Sequence, residues 1–318
     1  MFRTRRVTSR LAGSSLESRA VAAYWGMAMG DAMGATVEFM MPNEIQAKHG
    51  THNSIDGGGW LNLKKGEVTD DTTMALALGE GILQANGGFD AIAIGDAFDR
   101  WMQSKPVDCG NTVRRGIVHF RQHRASGDVM VPENEFDGGN GACMRTLPIA
   151  LATVGMLDEE MVHASRMQAH LTHHHPLSDA GTECINRMLH LALQEQDLAA
   201  LLQGPVQQLI DQHKTFTFRR KREPSNPDGY IVDTLRAVFW SLFNTDNFEE
   251  CLVDVVNRGG DADTTGAIAG AIAGALYGLP GLPVRWFNAM NRSVMRQCEE
   301  QAVALIRANP ALRLQQAV

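Results

Sequence analysis

The stretch NRGGDADTTGAIAGAIAGALYGLPGLP, residues 257–283, constrains the fold more than any other part of the chain. Gly266, Gly270, Gly274 and Gly278 recur every four residues in a run nearly free of polar side chains. In a helix that spacing puts the glycines on one face, where a second helix backbone can approach closely. Each interior glycine costs about 1 kcal/mol of helix stability relative to alanine, so close packing outweighs propensity here. The segment reads as a rigid buried rod. Residues 264–282 are apolar enough to raise a membrane span, but their glycines, the acidic start, Pro280 and Pro283 favour a core helix. Gly259-Gly260 supplies a tight turn before the rod, and Asp261, Asp263 and Thr264 stand at its tip. Helix capping accounts well for one of those three oxygens, not for all of them.

The same logic occurs a second time. In GEVTDDTTMALALGEGIL, residues 66–83, Thr69, Asp70 and Asp71 stand just before another apolar helix. Thr69 as N-cap with aspartates in the first turn is the plain alternative. Two such tips are harder to dismiss together. Asp70, Asp71, Asp261 and Asp263, with Thr69 and Thr264, offer hard oxygen donors only. That set suits Mg²⁺, Mn²⁺ or Ca²⁺ rather than zinc or copper. Four carboxylates in one pocket repel, and two divalent ions sharing a bridging carboxylate, about 3.5–4 Å apart, relieve them.

The rest of the chain is helical in pattern and poor in strand signals. Helical spacing runs over 17–30, 90–104, 158–170 and 230–243, through the tail after 284, and over 180–213 as two helices broken near Gly204-Pro205. Five Gly/Asp/Thr-rich joints (30–38, 66–71, 105–112, 138–142 and 257–264) all fall at helix ends. An all-α domain over residues 17–318 follows, with its functional residues gathered at one end. Residues 1–16 contain Arg3, Arg5, Arg6 and Arg10 and no acid; they read as a disordered N-terminal extension rather than a transit peptide. A net charge of −7 argues against charge-driven nucleic-acid binding. Cys109, Cys143, Cys184, Cys251 and Cys298 are scattered without a CxxC, which points to free thiols in a reducing, cytoplasmic setting.

Each joint offers candidates. Glu38 follows a Gly-rich bend that begins at Asp31, and Val37, Phe39 and Met40 disfavour its full exposure. Residues 50–68 are loop-like, with Gly57-Gly58-Gly59-Trp60. Asp108 and Asn111 lie in the turn KPVDCGNTVRRGI, where either can also cap the following helix. Residues 122–139 are polar and Gly-rich, the best candidate for a mobile loop. Asn140-Gly141 opens a helix with exposed amides that suit an anionic ligand. THHHPLSDAG carries three adjacent histidines, but adjacent side chains diverge and no Cys or HExxH partner is near, so zinc is disfavoured. One histidine facing a site, with Ser178 or Asp179 capping the next helix, fits better. The basic run 219–229 reads as solvated surface, and Tyr230 begins an amphipathic helix.

Seven motifs in order, GDAMGATVEF, GGGWLNLKKGEVTDDTTM, KPVDCGNTVRRGI, GNGACMRTLP, THHHPLSDA, YIVDT and NRGGDADTTGA, resemble the ADP-ribosylglycohydrolase family. Within it they are most similar to the branch that acts on dinitrogenase reductase. The resemblance implies a compact orthogonal helical bundle with a dinuclear Mg²⁺ or Mn²⁺ centre at helix N-termini. It implies removal of ADP-ribose from arginine of a modified protein. It makes Thr69, Asp70, Asp71, Asp261, Asp263 and Thr264 the metal ligands, and Glu38 and Asp108 the acid/base pair. Asn111, Asn140, Gly141, His173 and Tyr230 would line the ADP-ribose cleft, with Tyr230 stacked on adenine. The same branch implies a PII signalling protein as regulator, and through it reversible association with a membrane-bound ammonium transporter. The N-terminal extension and the histidine run depart from the family pattern, and the run leaves open which histidine faces the ligand. Two other readings compete: a dinuclear metal phosphoesterase, and a non-catalytic ADP-ribose-binding relative. Such a relative should lose acidic ligands, and this chain keeps them all.

Overall fold

In the computed structural model, which describes residues 15–219 and 223–316, the glycine-spaced segment is a helix from Ala262 to Tyr277. Its glycine face meets a partner of the same spacing, Gly26, Gly30 and Gly34 on the helix Ser15–Gly34. A Cβ on Gly30 would strike the Gly266 carbonyl, one on Gly270 the Gly26 carbonyl, and one on Gly274 the Ala22 carbonyl. The two helices therefore run antiparallel, backbone against backbone. Gly278 plays a different part from the one its spacing predicts. It adopts φ 65° and closes the helix, its N–H bonding to the Gly274 carbonyl at 2.9 Å.

The helices in chain order are α1 (Ser15–Gly34), α2 (Pro42–His49), α3 (Asp70–Gln84), α4 (Ala91–Gln103), α5 (Asn111–His123), α6 (Gly141–Met144), α7 (Leu147–Thr153), α8 (Asp158–Ala169), α9 (Pro176–Leu193), α10 (Leu198–Leu201), α11 (Gln207–Gln212), α12 (Ile231–Phe243), α13 (Phe248–Val256), α14 (Ala262–Tyr277), α15 (Val284–Ala289), α16 (Arg292–Ala308) and α17 (Pro310–Gln316). Among the described residues there is no strand, only the isolated bridges Gly58–Leu63 and Gly139–Tyr230. The all-α expectation holds. None of the described helices is long and apolar enough to cross a membrane. α14 packs on α1, α9, α12 and α13, and α1 also on α16, so the glycine seam lies in the middle of the apolar core.

Some local expectations differ. α9 runs unbroken to Leu193, the interruption falls at 194–197, and Gly204-Pro205 sits inside a π-helical turn, Leu202–Val206. Pro205 lacks an N–H, which the wider turn accommodates. Neither Ser178 nor Asp179 caps α9: His175 does, its ring accepting from the Leu177 N–H at 3.1 Å. Ser178 bonds instead to the Gly139 carbonyl, and Asp179 pairs with His170. The N-terminal extension expected over 1–16 lies, for residues 1–14, outside the described residues, as do 220–222 of the basic run.

Candidate metal centre

The tip of α3 is capped from two sides. Thr69 is the N-cap, its side chain accepting from the Asp71 N–H at 3.4 Å. Asp31, reaching over from α1, accepts from the Thr69 N–H at 2.9 Å, the Thr72 N–H at 3.0 Å and the Thr72 hydroxyl at 2.6 Å. With the Thr69, Asp71 and Thr72 N–H groups satisfied by Thr69 and Asp31, the Asp70 and Asp71 carboxylates are not needed to cap them. Thr69 itself stands behind Asp71 and donates its hydroxyl to Asp71 Oδ2 at 3.3 Å.

The tip of α14 is built differently. Gly259 and Gly260 take φ 71° and 66°. A Cβ on Gly260 would strike the Pro227 carbonyl, so only glycine lets the loop pass. Asp261 is the N-cap residue but makes no side-chain cap bond. Its Oδ2 accepts from Asn140 Nδ2 at 2.6 Å. The two tips touch: Thr264 Oγ1 donates to Asp71 Oδ2 at 3.3 Å.

One cavity of about 270 Å³ gathers the candidates. Glu38, Asp70, Asp71, Asp108, Asn111, Asn140, Gly141, His173, Asp261, Asp263 and Thr264 all line it. Thr69 and Tyr230 do not; Tyr230 stands 40% exposed, its ring beside Gly138. One carboxylate oxygen each from Glu38, Asp261 and Asp263 lies within 4.8 Å of the other two. Glu38 is buried, and its Oε2 accepts from the Trp60 indole N–H at 2.7 Å.

Burial raises these acids. It pushes Glu38 up to about 8, with Asp261, Asp108 and Asp70 adding repulsion against the Trp60 bond. Burial, then Asp108 and Asp31, push Asp70 up to about 7. Asp71 and Asp263 stand well above the carboxylate range, again through burial first, with the charges of Asp31 and Asp70 next for Asp71 and that of Asp71 next for Asp263. Burial also raises Asp261, against the bond from Asn140. Asp71 Oδ1 is buried with no hydrogen-bond partner. An orphaned carboxylate oxygen among hard donors is what a divalent cation would satisfy, so the residues fit such an ion. Beneath the cluster Arg145 is fully buried, donating to Gln168 Oε1 at 2.7 Å and Thr172 Oγ1 at 2.7 Å.

The neighbouring residues settle into distinct places. His173 is the histidine that faces the cavity, its Nδ1 2.8 Å from Thr172 Oγ1. Burial, with Arg145 and Arg115 nearby, holds it well below the usual imidazole range and therefore neutral. His174 turns to the Val131 carbonyl at 2.8 Å and stacks on His170. Neither Asp108 nor Asn111 caps α5: its N-cap is Gly110, Asp108 accepts from the Cys109 N–H, and Asn111 is the first helical residue. The Asn140 amide is not exposed to an anion as its position predicts. Its N–H donates to the Gly229 carbonyl at 2.9 Å, because the Gly139–Tyr230 bridge ties the two segments together.

Sequence reasoning passed over Asp31, Trp60, Gly229 and Thr234, the last accepting from Asn140 Nδ2 at 2.9 Å, as parts of this site. Trp60 followed a conspicuous Gly-Gly-Gly, and Asp31 directly followed Gly30; both were visible as neighbours of motifs. Larger cavities exist, of about 660 Å³ beside α13 and about 870 Å³ between α3, α4 and α16. Most of their acids are matched by arginines: Asp254 and Glu223 by Arg258, Glu249 by Arg285, and Glu80 by Arg100. Chemistry, not volume, singles out the smaller one.

The ADP-ribosylglycohydrolase family model matches residues 12–312. The chain belongs to the ADP-ribosylglycohydrolase family. The ADP-ribosyl-[dinitrogen reductase] glycohydrolase of Rhodospirillum rubrum is 44% identical over 296 residues, covering 93% of this chain and 98% of that protein. The ADP-ribosylarginine hydrolase Tri1 of Serratia proteamaculans is 32% identical, covering 86% of this chain and 75% of its own. A solved structure titled ADP-ribosylglycohydrolase-related protein complex superposes with a TM-score of 0.80 at 33% identity, covering 92% of this chain and 99% of that one. Like those relatives, this ADP-ribosylglycohydrolase is a hydrolytic enzyme.

Proposed function

We propose that this ADP-ribosylglycohydrolase cleaves the N-glycosidic bond between ADP-ribose and an arginine side chain of a protein, with dinitrogenase reductase as that protein. The observation that carries the reading is the meeting of both acidic tips in one cavity that also holds Glu38 and Asp108. The names of the Rhodospirillum and Serratia relatives support the linkage, and the first supports the protein substrate. Residues 17–318 act as a single domain in this reading.

Asp70, Asp71, Asp261, Asp263 and Thr264, with Thr69 behind them, would hold two divalent ions, Mn²⁺ or Mg²⁺. Such ions supply Lewis-acid fixation of ribose hydroxyls and of a water beside the scissile bond. The chain's own groups do the rest. Asn140 orients the Asp261 carboxylate through its 2.6 Å bond. Trp60 fixes one Glu38 oxygen at 2.7 Å and leaves the other for the cavity. Glu38 and Asp108 move the protons: one delivers to the departing arginine nitrogen as the C–N bond breaks. The other takes one from the water whose oxygen bonds to the sugar carbon. Asn111, Gly141 and neutral His173 line the ADP-ribose, and Tyr230 at the rim stacks on adenine. Regulation through a PII protein, with reversible membrane association, belongs to the same proposal.

The test is hydrolysis of ADP-ribosylarginine with and without added Mn²⁺, counter-screened against ADP-ribosylserine. Intact ADP-ribose and free arginine are expected from the first substrate only when metal is present. Release of AMP would favour the phosphoesterase reading, and no release at all the non-catalytic one.

A further inference from the structure

The outer side of Glu38 carries two large aromatic side chains that the core does not claim. Phe39 is 64% exposed and Trp60 51% exposed. Their ring centroids lie 5.5 Å apart with the planes tilted by 46°. Both are tied to the cavity: Phe39 lines it beside Glu38, and Trp60 donates its indole N–H to Glu38 Oε2. Phe39 holds φ 62°, a left-handed conformation that a bulky side chain adopts only under constraint. The constraint is visible. The Phe39 N–H donates to the Gly260 carbonyl at 2.7 Å, and the Gly260 N–H returns to the Met40 carbonyl at 3.0 Å. The loop that presents Asp261 thus also aims Phe39. On the other side, a Cβ on Gly59 would strike the Ala35 carbonyl, which seats the Trp60 turn against the bend after α1. A strained ring that fills no core and stands open to water calls for a contact from outside the chain.

We propose that Phe39 and Trp60 form the platform on which the leaving side chain rests, and that this platform selects a guanidinium over a neutral hydroxyl leaving group. The proposal rests on hydrolysis of ADP-ribosylarginine as the reaction. Asn111, Asn140, Gly141 and His173 line the cavity for the sugar and diphosphate. The scissile bond must lie within reach of Glu38. The departing side chain then leaves past Glu38 toward the open side, where the two rings stand. A guanidinium is planar, permanently charged and weakly hydrated, and it stacks on aromatic faces. The surrounding carboxylates favour the same cation. A serine oxygen offers neither the charge nor the plane, so the rings discriminate between linkages without touching ADP-ribose.

The test uses Mg²⁺-loaded full-length protein and the variants Phe39→Leu, Phe39→Tyr and Trp60→Leu, each checked by thermal melt. Three quantities are read: KM and kcat on ADP-ribosylarginine, the Kd of ADP-ribose by calorimetry, and saturation-transfer NMR of agmatine as a free guanidinium probe. Phe39→Leu should raise KM about three- to thirtyfold, the range of a cation–π contact, with kcat nearly unchanged. Phe39→Tyr should restore wild-type KM, agmatine transfer should weaken in Phe39→Leu, and ADP-ribose Kd should stay constant. Trp60→Leu should raise KM and also lower kcat, because it frees Glu38. A wild-type KM in folded Phe39→Leu overturns the platform and leaves the proposed reaction standing. ADP-ribose Kd weakening by the same factor as KM also overturns it, by placing the ring against ADP-ribose. Agmatine binding that depends on Phe39, in a protein that leaves ADP-ribosylarginine intact, keeps the platform and overturns the reaction.

Discussion

The two helix tips of the centre carry the same residue types and solve opposite problems. At α3 the backbone donors are satisfied by Thr69 and by Asp31 from another helix, so Asp70 and Asp71 need not cap anything. At α14 the N-cap Asp261 makes no cap bond and is held by Asn140 from a third segment. In both cases the carboxylates left over exceed what helix ends require, and Asp71 keeps an oxygen with no partner. Capping therefore does not explain the acids, whereas a shared divalent cation would satisfy the oxygens left over.

Removing one acid from each tip should have the largest effect. Asp70→Ala and Asp261→Ala should each lower turnover about 10³-fold or more, about 4 kcal/mol of transition-state stabilisation, with bound divalent metal lost in step. Elemental analysis beside steady-state rates checks this. Full activity with metal retained in either variant would sink the ligand assignment. The second largest effect lies beneath the tips. Gly266→Ala puts a methyl against the Gly30 backbone and should cost about 3 kcal/mol, read in denaturant unfolding. Gly58→Ala meets no atom nearby, so strain at its φ of 82° should be its main effect, a smaller one.

The external cap on α3 supplies the next test. Asp31→Ala strands buried donors on Thr69 and Thr72 and should cost about 2 kcal/mol, with metal affinity about 10- to 100-fold weaker. No equivalent penalty should follow from Asn140→Ala at the α14 tip, where metal affinity falls but the melting temperature changes less. A further, pH-dependent effect comes from outside both tips. Burial holds His190 down at about 4, between Thr153 Oγ1 and the Ala150 carbonyl. The unfolded chain then binds the extra proton first, so His190 destabilises the fold as pH drops from about 6.5 toward 4. Up to about 3 kcal/mol of stability should disappear over that window and be absent from His190→Gln, a background to subtract before any pH effect is assigned to the centre.

What the sequence made legible follows from range. The glycine spacing, both acidic tips and the five joints are patterns within a few residues, and each recurs in the structure as a helix face or a helix end. Glu38 was visible as a carboxylate in apolar company, but its partner Trp60 is in another loop. Asp31 resembled a loop acid because its donors, Thr69 and Thr72, belong to a different helix. The capping of α9 by His175 escaped notice because Ser and Asp are the usual caps, and the tertiary bonds of Ser178 and Asp179 took them elsewhere. Choosing His173 among three histidines needed the fold: Thr172, Gly139 and Gly141 define its slot, while His174 is drawn to Val131.

The glycine seam also dictates when the enzyme can come into being. Gly30 and Gly266 are neighbours in space but far apart along the polypeptide. A nascent chain still on the ribosome holds α1 with no rod to lie against and an α3 tip with no opposite number. Catalysis can only switch on late, when the last glycine-faced helix emerges and docks, so premature termination anywhere before Tyr277 should yield an inert fragment rather than a weakened enzyme.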